Sequence, residues 1–120
     1  MPTSEQHRQK AEHNERASVD FEAGLYVDWA VTALFYAAVH WIDAYLVQYW
    51  PSPGNHADRF ELMRRERAVR PIRALYQDLY QRSLDSRYNC EAFQIRDVQR
   101  LRQARFEPIR RHLEGLLRRA

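Results

Sequence analysis

Three features of the sequence predict an all-α domain, an antiparallel up-and-down four-helix bundle with one short extra helix. Apolar residues recur at steps of three and four through most of the chain, no stretch alternates as a strand does, and the breaks between periodic segments are short. Short connections make sequential helices antiparallel neighbours. At 120 residues, 45% of them hydrophobic, the chain has room for one core, so residues 1–120 read as a single domain.

The elements follow in order. After Pro2, Thr3 or Ser4 caps a first helix whose inward seam runs His7, Ala11, Asn14, Ser18, Phe21 and Leu25. Gly24 begins a short connection, and Asp28 is placed to cap a long second helix reaching about Trp50. The segment Pro51-Ser-Pro-Gly-Asn55 breaks the chain. A short third helix is expected from His56 to Arg67, capped by Asn55. Pro71 suits the first turn of a fourth helix, in which Ile72, Leu75, Tyr76, Leu79, Tyr80 and Ser83 share a face as far as Ser86. Arg87-Tyr-Asn-Cys90 turns the chain. A fifth helix carries Val98, Leu101, Ile109, Leu113, Leu116 and Leu117, and Pro108 either kinks it or divides it.

Composition excludes several classes. The single cysteine, Cys90, rules out an internal disulfide framework and a four-cysteine zinc site, and is expected as a small half-buried or reactive turn residue. The apolar run from Trp29 to Val39 falls well short of the ~20 residues that span a bilayer, so no membrane association is expected. No basic region followed by an apolar run opens the chain, which makes the cytoplasm the expected location. Neither a Glu-x-x-His di-iron motif, a glycine-rich phosphate loop nor a Gly-x-Ser-x-Gly elbow occurs, and no cofactor is implied. A three-histidine metal site from His7, His40 and His56 is geometrically conceivable, but nothing in their spacing requires it, and no metal is expected.

Charge is divided unevenly. Residues 1–60 hold four Lys/Arg against eight Asp/Glu, whereas residues 61–120 hold fifteen against eight. All but one of the basic residues are arginine, whose planar fork suits phosphate and carboxylate. Such a half either meets an acidic partner or forms a solvated, ion-paired surface.

The second helix holds the sharpest puzzle. On a helical wheel Asp28, Thr32, Tyr36, His40 and Asp43 fall within about 120° of arc, in the most apolar part of the chain. Such a stripe must face water or be hydrogen-bonded by neighbouring helices, and His7 and Asn14 on the first helix are the natural partners. A second constellation lies at the start of the third helix. His56 and Arg59 are one turn apart, and Arg87 and Tyr88 at the end of the fourth helix are placed to complete an anion-binding site with them.

The segments "AEHNERA", "DWAVTALFYAAVHWIDAYL", "GNHADRFELM" and "LYQRSLDSRY", between Arg8 and Tyr88, resemble the HEPN superfamily of helical bundles. The resemblance implies a dimeric module that binds RNA, a nucleotide or a protein partner. Alternatively it implies a metal-independent endoribonuclease, the toxin of a toxin–antitoxin pair whose antitoxin is nucleotidyltransferase-like. The ribonucleases of the family place an arginine and, after four to six residues, a histidine at the dimer interface. Arg8 with His13 and Arg105 with His112 have this spacing, although about two such matches are expected by chance in so arginine-rich a chain. Arg105 and His112, on the late helix, are the catalytic candidates. Phe106 after the arginine and Pro108 between the two depart from the family's pattern. The aromatic wealth of the second helix, from Trp29 to Trp50, predicts a two-fold homodimer through that helix or the last one.

Overall fold

The computed structural model describes residues 2–119. Helix α1 spans Ser4–Ala23, α2 Val27–Leu46, α3 His56–Arg65, α4 Arg73–Arg87, α5 Ile95–Leu101 and α6 Glu107–Arg119. A 3₁₀ turn, Arg70–Ile72, leads into α4, and a π-helical turn, Arg102–Phe106, joins α5 to α6 in one continuous rod. No strand occurs among the described residues.

Side-chain contacts fix the helix directions. Ser4 donates to the Ala44 carbonyl, His7 meets His40, and Ser18 donates to the Ala30 carbonyl, so α1 and α2 form an antiparallel hairpin. Ser86 donates to the Asp28 carbonyl while Tyr76 stacks on Phe35, which sets α4 antiparallel to α2. The rod's late half runs back against α4 and α1: Arg105 pairs with Asp78, His112 meets the Ala68 carbonyl, and Arg110 pairs with Glu15. The result is an up-and-down helical bundle, with α3 as the short additional helix.

The caps partly follow the sequence. Thr3 closes a reciprocal capping box with Gln6, and Asn55 accepts from the Asp58 N–H. Asp28 does not cap α2. The helix starts two residues earlier with Tyr26 at its N-cap and no side-chain cap, so Asp28 falls in the first turn, where a carboxylate still favours the helix dipole. The left-handed residue of the α1–α2 turn is Leu25 (φ 68°) rather than Gly24. Helix α2 ends at Leu46, not near Trp50, because residues 47–49 relax into turns before the proline-containing break. Pro108 falls in the first turn of α6, directly after the π-helical turn, and the helical chain continues through it without a break. Widening of the turn before it sends the Glu107 N–H to the Arg102 carbonyl, five residues back, and the ring is accommodated there.

The core is built around α2, which is wrapped by α1, α4 and the last rod. Leu34, Phe35, Ala38, Trp41, Ile42 and Leu46 are fully or almost fully buried. Met63, Tyr76, Leu79, Phe106, Ile109 and Leu113 close over them from the other elements. Each such side chain contributes about 1.5–3 kcal/mol of burial. A satellite cluster of Ala30, Val31 and Val98 lies at the other end, against α5. The expectation that α2 offers an aromatic face to a second copy changes here. Phe35, Trp41 and Tyr45 are enclosed within one chain because helices surround α2, and its strongly exposed aromatic residue is Trp29, in the first turn. Other exposed apolar side chains gather at the α1–α2 turn, namely Phe21, Leu25 and Tyr26. Among the described residues no helix is long and apolar enough to cross a membrane.

Candidate functional site

Four of the five side chains of the polar stripe on α2 are met by a neighbour, and Asp28 is met only at its backbone carbonyl, by Ser86. Thr32 lies 3.4 Å from the Ser86 hydroxyl. The Tyr36 hydroxyl accepts from Arg87 at 2.8 Å. The Nδ1 atoms of His40 and His7 are 3.0 Å apart. Asp43 accepts from Arg59 Nε and Nη2 at 2.8 and 2.9 Å. The stripe is therefore a polar seam that ties α2 in turn to α4, α1 and α3. Asn14, expected to share in it, is half-buried and stands outside the histidine pair.

Asp43 and Arg59 form a bidentate ion pair that is almost completely buried, at 4% and 6% exposed. This overturns the role expected for Arg59. Its fork is already occupied by a carboxylate and turned inward, so it is not free to bind an external anion. Its Nη1 donates to His56 Nδ1 at 3.2 Å. Since arginine only donates, His56 must be the acceptor there, neutral and with its proton on Nε2. Burial, then the positive charges of Arg59 and Arg87, hold the His56 pKa below its ordinary value, against the opposing pull of Asp43. The imidazole packs against the rings of Phe35 and Tyr80, which also touch each other. Tyr76 closes this layer, and burial raises its hydroxyl pKa against the pull of Arg59. The proposed trio of anion donors thus resolves into an internal lock made by His56 and Arg59, and one outward group, Arg87.

Arg87 is held by neutral acceptors. Besides Tyr36 it donates from Nε to the Ser83 carbonyl at 3.2 Å and from Nη2 to the Ser83 hydroxyl at 3.1 Å. Its guanidinium carbon lies 5.5 Å from the Tyr36 ring centre and 5.2 Å from that of Tyr88. No carboxylate among the described residues forms an ion pair with it. Arg87 and Tyr88 line a cleft of about 290 Å³ with Asp28, Trp29, Thr32 and Ser86. Tyr88 is 70% and Trp29 52% exposed. The cleft therefore combines an ordered cation outside any ion pair, one carboxylate, Asp28, and two accessible aromatic rings. Trp29 was invisible as a site residue in the sequence, where it reads as one more aromatic of the second helix.

The histidine pair opens on a separate surface groove lined by Gln6, Gln9, Lys10 and His13. Two Nδ1 atoms at 3.0 Å can share one proton only, so the rings adopt opposite tautomers there. Burial, His7 and Lys10 push His40 down to about 4, with Asp43 opposing them. Burial also lowers His7. His56 is engaged with Arg59 and does not join this pair, which dissolves the three-histidine arrangement. Among the described residues no group of three or more metal-ligating side chains is placed to hold an ion.

The catalytic candidates are not brought together. Arg105 is bound to Asp78 on α4 at 2.9 Å, and His112 Nε2 donates to the Ala68 carbonyl at 2.6 Å. Arg8 lies over the Trp41 ring and beside Glu12, away from any histidine bond. Cys90 is exposed rather than half-buried, at a left-handed backbone position (φ 53°). Compared with known proteins, the chain finds no match among family models, curated proteins or solved structures.

Proposed function

We propose that this chain is a HEPN-like helical module that binds a phosphate-bearing ligand, an RNA or nucleotide, without chemistry of its own. The observation that carries this reading is Arg87. Burying or ordering a cation against neutral acceptors leaves its charge available, and a guanidinium fork matches phosphate oxygens. Trp29 and Tyr88 offer faces on which a base can stack, a contact worth about 1–3 kcal/mol per base. Asp28, on the opposite wall, supplies an acceptor for ribose hydroxyls. The exposed Phe21, Leu25 and Tyr26 support a homodimer through the α1–α2 turn.

Isothermal titration with uridine monophosphate and with a short single-stranded RNA tests the reading. Wild-type protein should bind both, and Arg87→Ala or Trp29→Ala should abolish binding while the thermal melt stays nearly unchanged. Absence of binding to either ligand refutes the proposal. The endoribonuclease alternative requires an arginine and a histidine facing one phosphate, and Arg105 and His112 serve different partners. The same RNA should accordingly remain intact on incubation, with or without EDTA.

A further inference from the structure

The geometry points to a strand of nucleic acid as the ligand, laid along the outer face of α4 from the Arg87 cleft to an arginine-rich elbow between α3 and α4. This rests on the reading of the Arg87 cleft above and names its substrate class. The elbow consists of Arg64 and Arg65 at the end of α3, Arg67 in the connection, Arg70 in the 3₁₀ turn and Arg73 at the start of α4. Across residues 61–73 these five arginines meet two glutamates, a net charge of +3, equal to the formal net charge of the whole chain. The remainder sums to zero because residues 1–60, at −4, offset residues 74–120, at +4, so the elbow is one positive cluster within the basic half.

Local bonds aim the elbow outward. Arg70 Nε donates to the Arg64 carbonyl, and Arg73 Nε to the Phe60 carbonyl, so each guanidinium is anchored at its inner edge. Arg64 is matched by Glu61. Arg65 and Arg67 are exposed and form no ion pair among the described residues. Part of this charge complements the C-terminal dipole of α3, but that effect is confined to the last turn and does not reach Arg67, Arg70 or Arg73.

Helix α4 connects the elbow to the cleft in register. From Arg73 to Arg87 is fourteen helical steps, about 21 Å of rise, and the rotation returns to within about 40° of its start. Both arginines thus lie on one face. Between them Gln77, Asp78, Tyr80 and Gln81, with Phe60, Arg73 and Ala74, line a shallow depression of about 620 Å³, in which the Asp78 carboxylate is paired with Arg105. A linear polyanion fits this layout, with cations at the two ends of a polar trough. The accessible rings of Trp29 and Tyr88 at one terminus favour nucleic acid over an acidic polypeptide, because bases stack on such rings and carboxylate side chains do not. At about 3.4 Å per stacked nucleotide, 21 Å corresponds to about six nucleotides.

The test is a ladder of oligouridylates of one, three, six, nine and twelve nucleotides, titrated into the full chain at several salt concentrations. Affinity should climb at least about tenfold from the monophosphate to the hexamer and then level off, as a second contact is recruited along one strand. Arg65→Ser/Arg67→Ser should leave uridine monophosphate binding unchanged and remove most of the gain with length. It should also flatten the salt slope for the hexamer by about 1.4, two phosphate contacts at about 0.7 each. A hexamer that binds no tighter than the monophosphate, or a length gain that survives the double substitution, overturns the track while leaving the cleft standing. Failure of the monophosphate itself overturns both. Polyglutamate of matched charge binding as tightly as the hexamer overturns the nucleic-acid assignment.

Discussion

Acidification should loosen this protein, and the His7–His40 pair is a principal reason. An imidazole held at about 4 in the folded protein, but free to titrate near 6.5 once unfolded, makes the unfolded chain the stronger proton binder between those two values. Stability is therefore fully present above about pH 6.5, declines as pH falls towards 4, and loses nothing further from His40 below that. A gap of about 2.5 units corresponds to about 3 kcal/mol at 1.36 kcal/mol per unit, reduced to about 2 kcal/mol because the ring is partly open to the groove. His7 and His56, lowered in the same direction, add to the decline. Urea midpoints measured at half-unit steps from pH 7.5 to 4 should fall steadily through this window. His40→Gln should be less stable at pH 7.5, by about 1–3 kcal/mol for the stranded His7, yet show a shallower pH dependence. An NMR titration placing the His40 midpoint near 6.5, or equal slopes in both proteins, would refute the reasoning.

Further tests follow from other contacts. Arg59→Ala leaves the Asp43 carboxylate buried and uncompensated, and denaturant melts should show a loss of about 3–5 kcal/mol, much of it recovered in the double variant Asp43→Leu/Arg59→Met. Leu25→Gly relieves a left-handed backbone position at an exposed site and should raise stability by about 1 kcal/mol in a thermal melt. Ser18→Ala removes both the donor to the Ala30 carbonyl and the acceptor for Arg102, so a loss of about 1–3 kcal/mol is expected in the same assay. Light scattering at tens of micromolar should return twice the 14.5 kDa chain mass, and a single-chain mass would remove the homodimer.

Helix order was readable because an apolar stripe with period 3.6 survives without knowledge of its neighbours. So was the pairing of His40 with His7, since both occupy inward positions of successive helices. The fate of Arg59 was not. Its spacing from His56 pointed to a shared outward face, but the choice of Asp43, sixteen residues back, depends on how α3 folds across α2 after a proline break. No local pattern records that crossing. The same holds for Trp29, whose place in the Arg87 cleft appears only when the end of α4 is set beside the start of α2. Helix ends were blurred where side-chain caps are lacking, as at Tyr26 and at residues 47–49.

The wide turn at Arg102–Phe106 has a meaning beyond accommodating Pro108. It puts the two halves of the last rod out of phase, so that Val98 seals the satellite cluster by Ala30 while Ile109 and Leu113 fill the main core. One helix thereby serves two cores set at different angles around its axis. Gln103 and Ala104 in that turn are exposed, and exchanging either for another residue should be nearly silent. Removing either one is another matter, though not because the faces would turn. A one-residue deletion would replace the wide turn by an ordinary one and leave both apolar faces on target, because that turn absorbs one extra residue. It would instead press the Pro108 ring against the carbonyl four residues before it, at a cost of about 3 kcal/mol. What these positions contribute is one residue's worth of room.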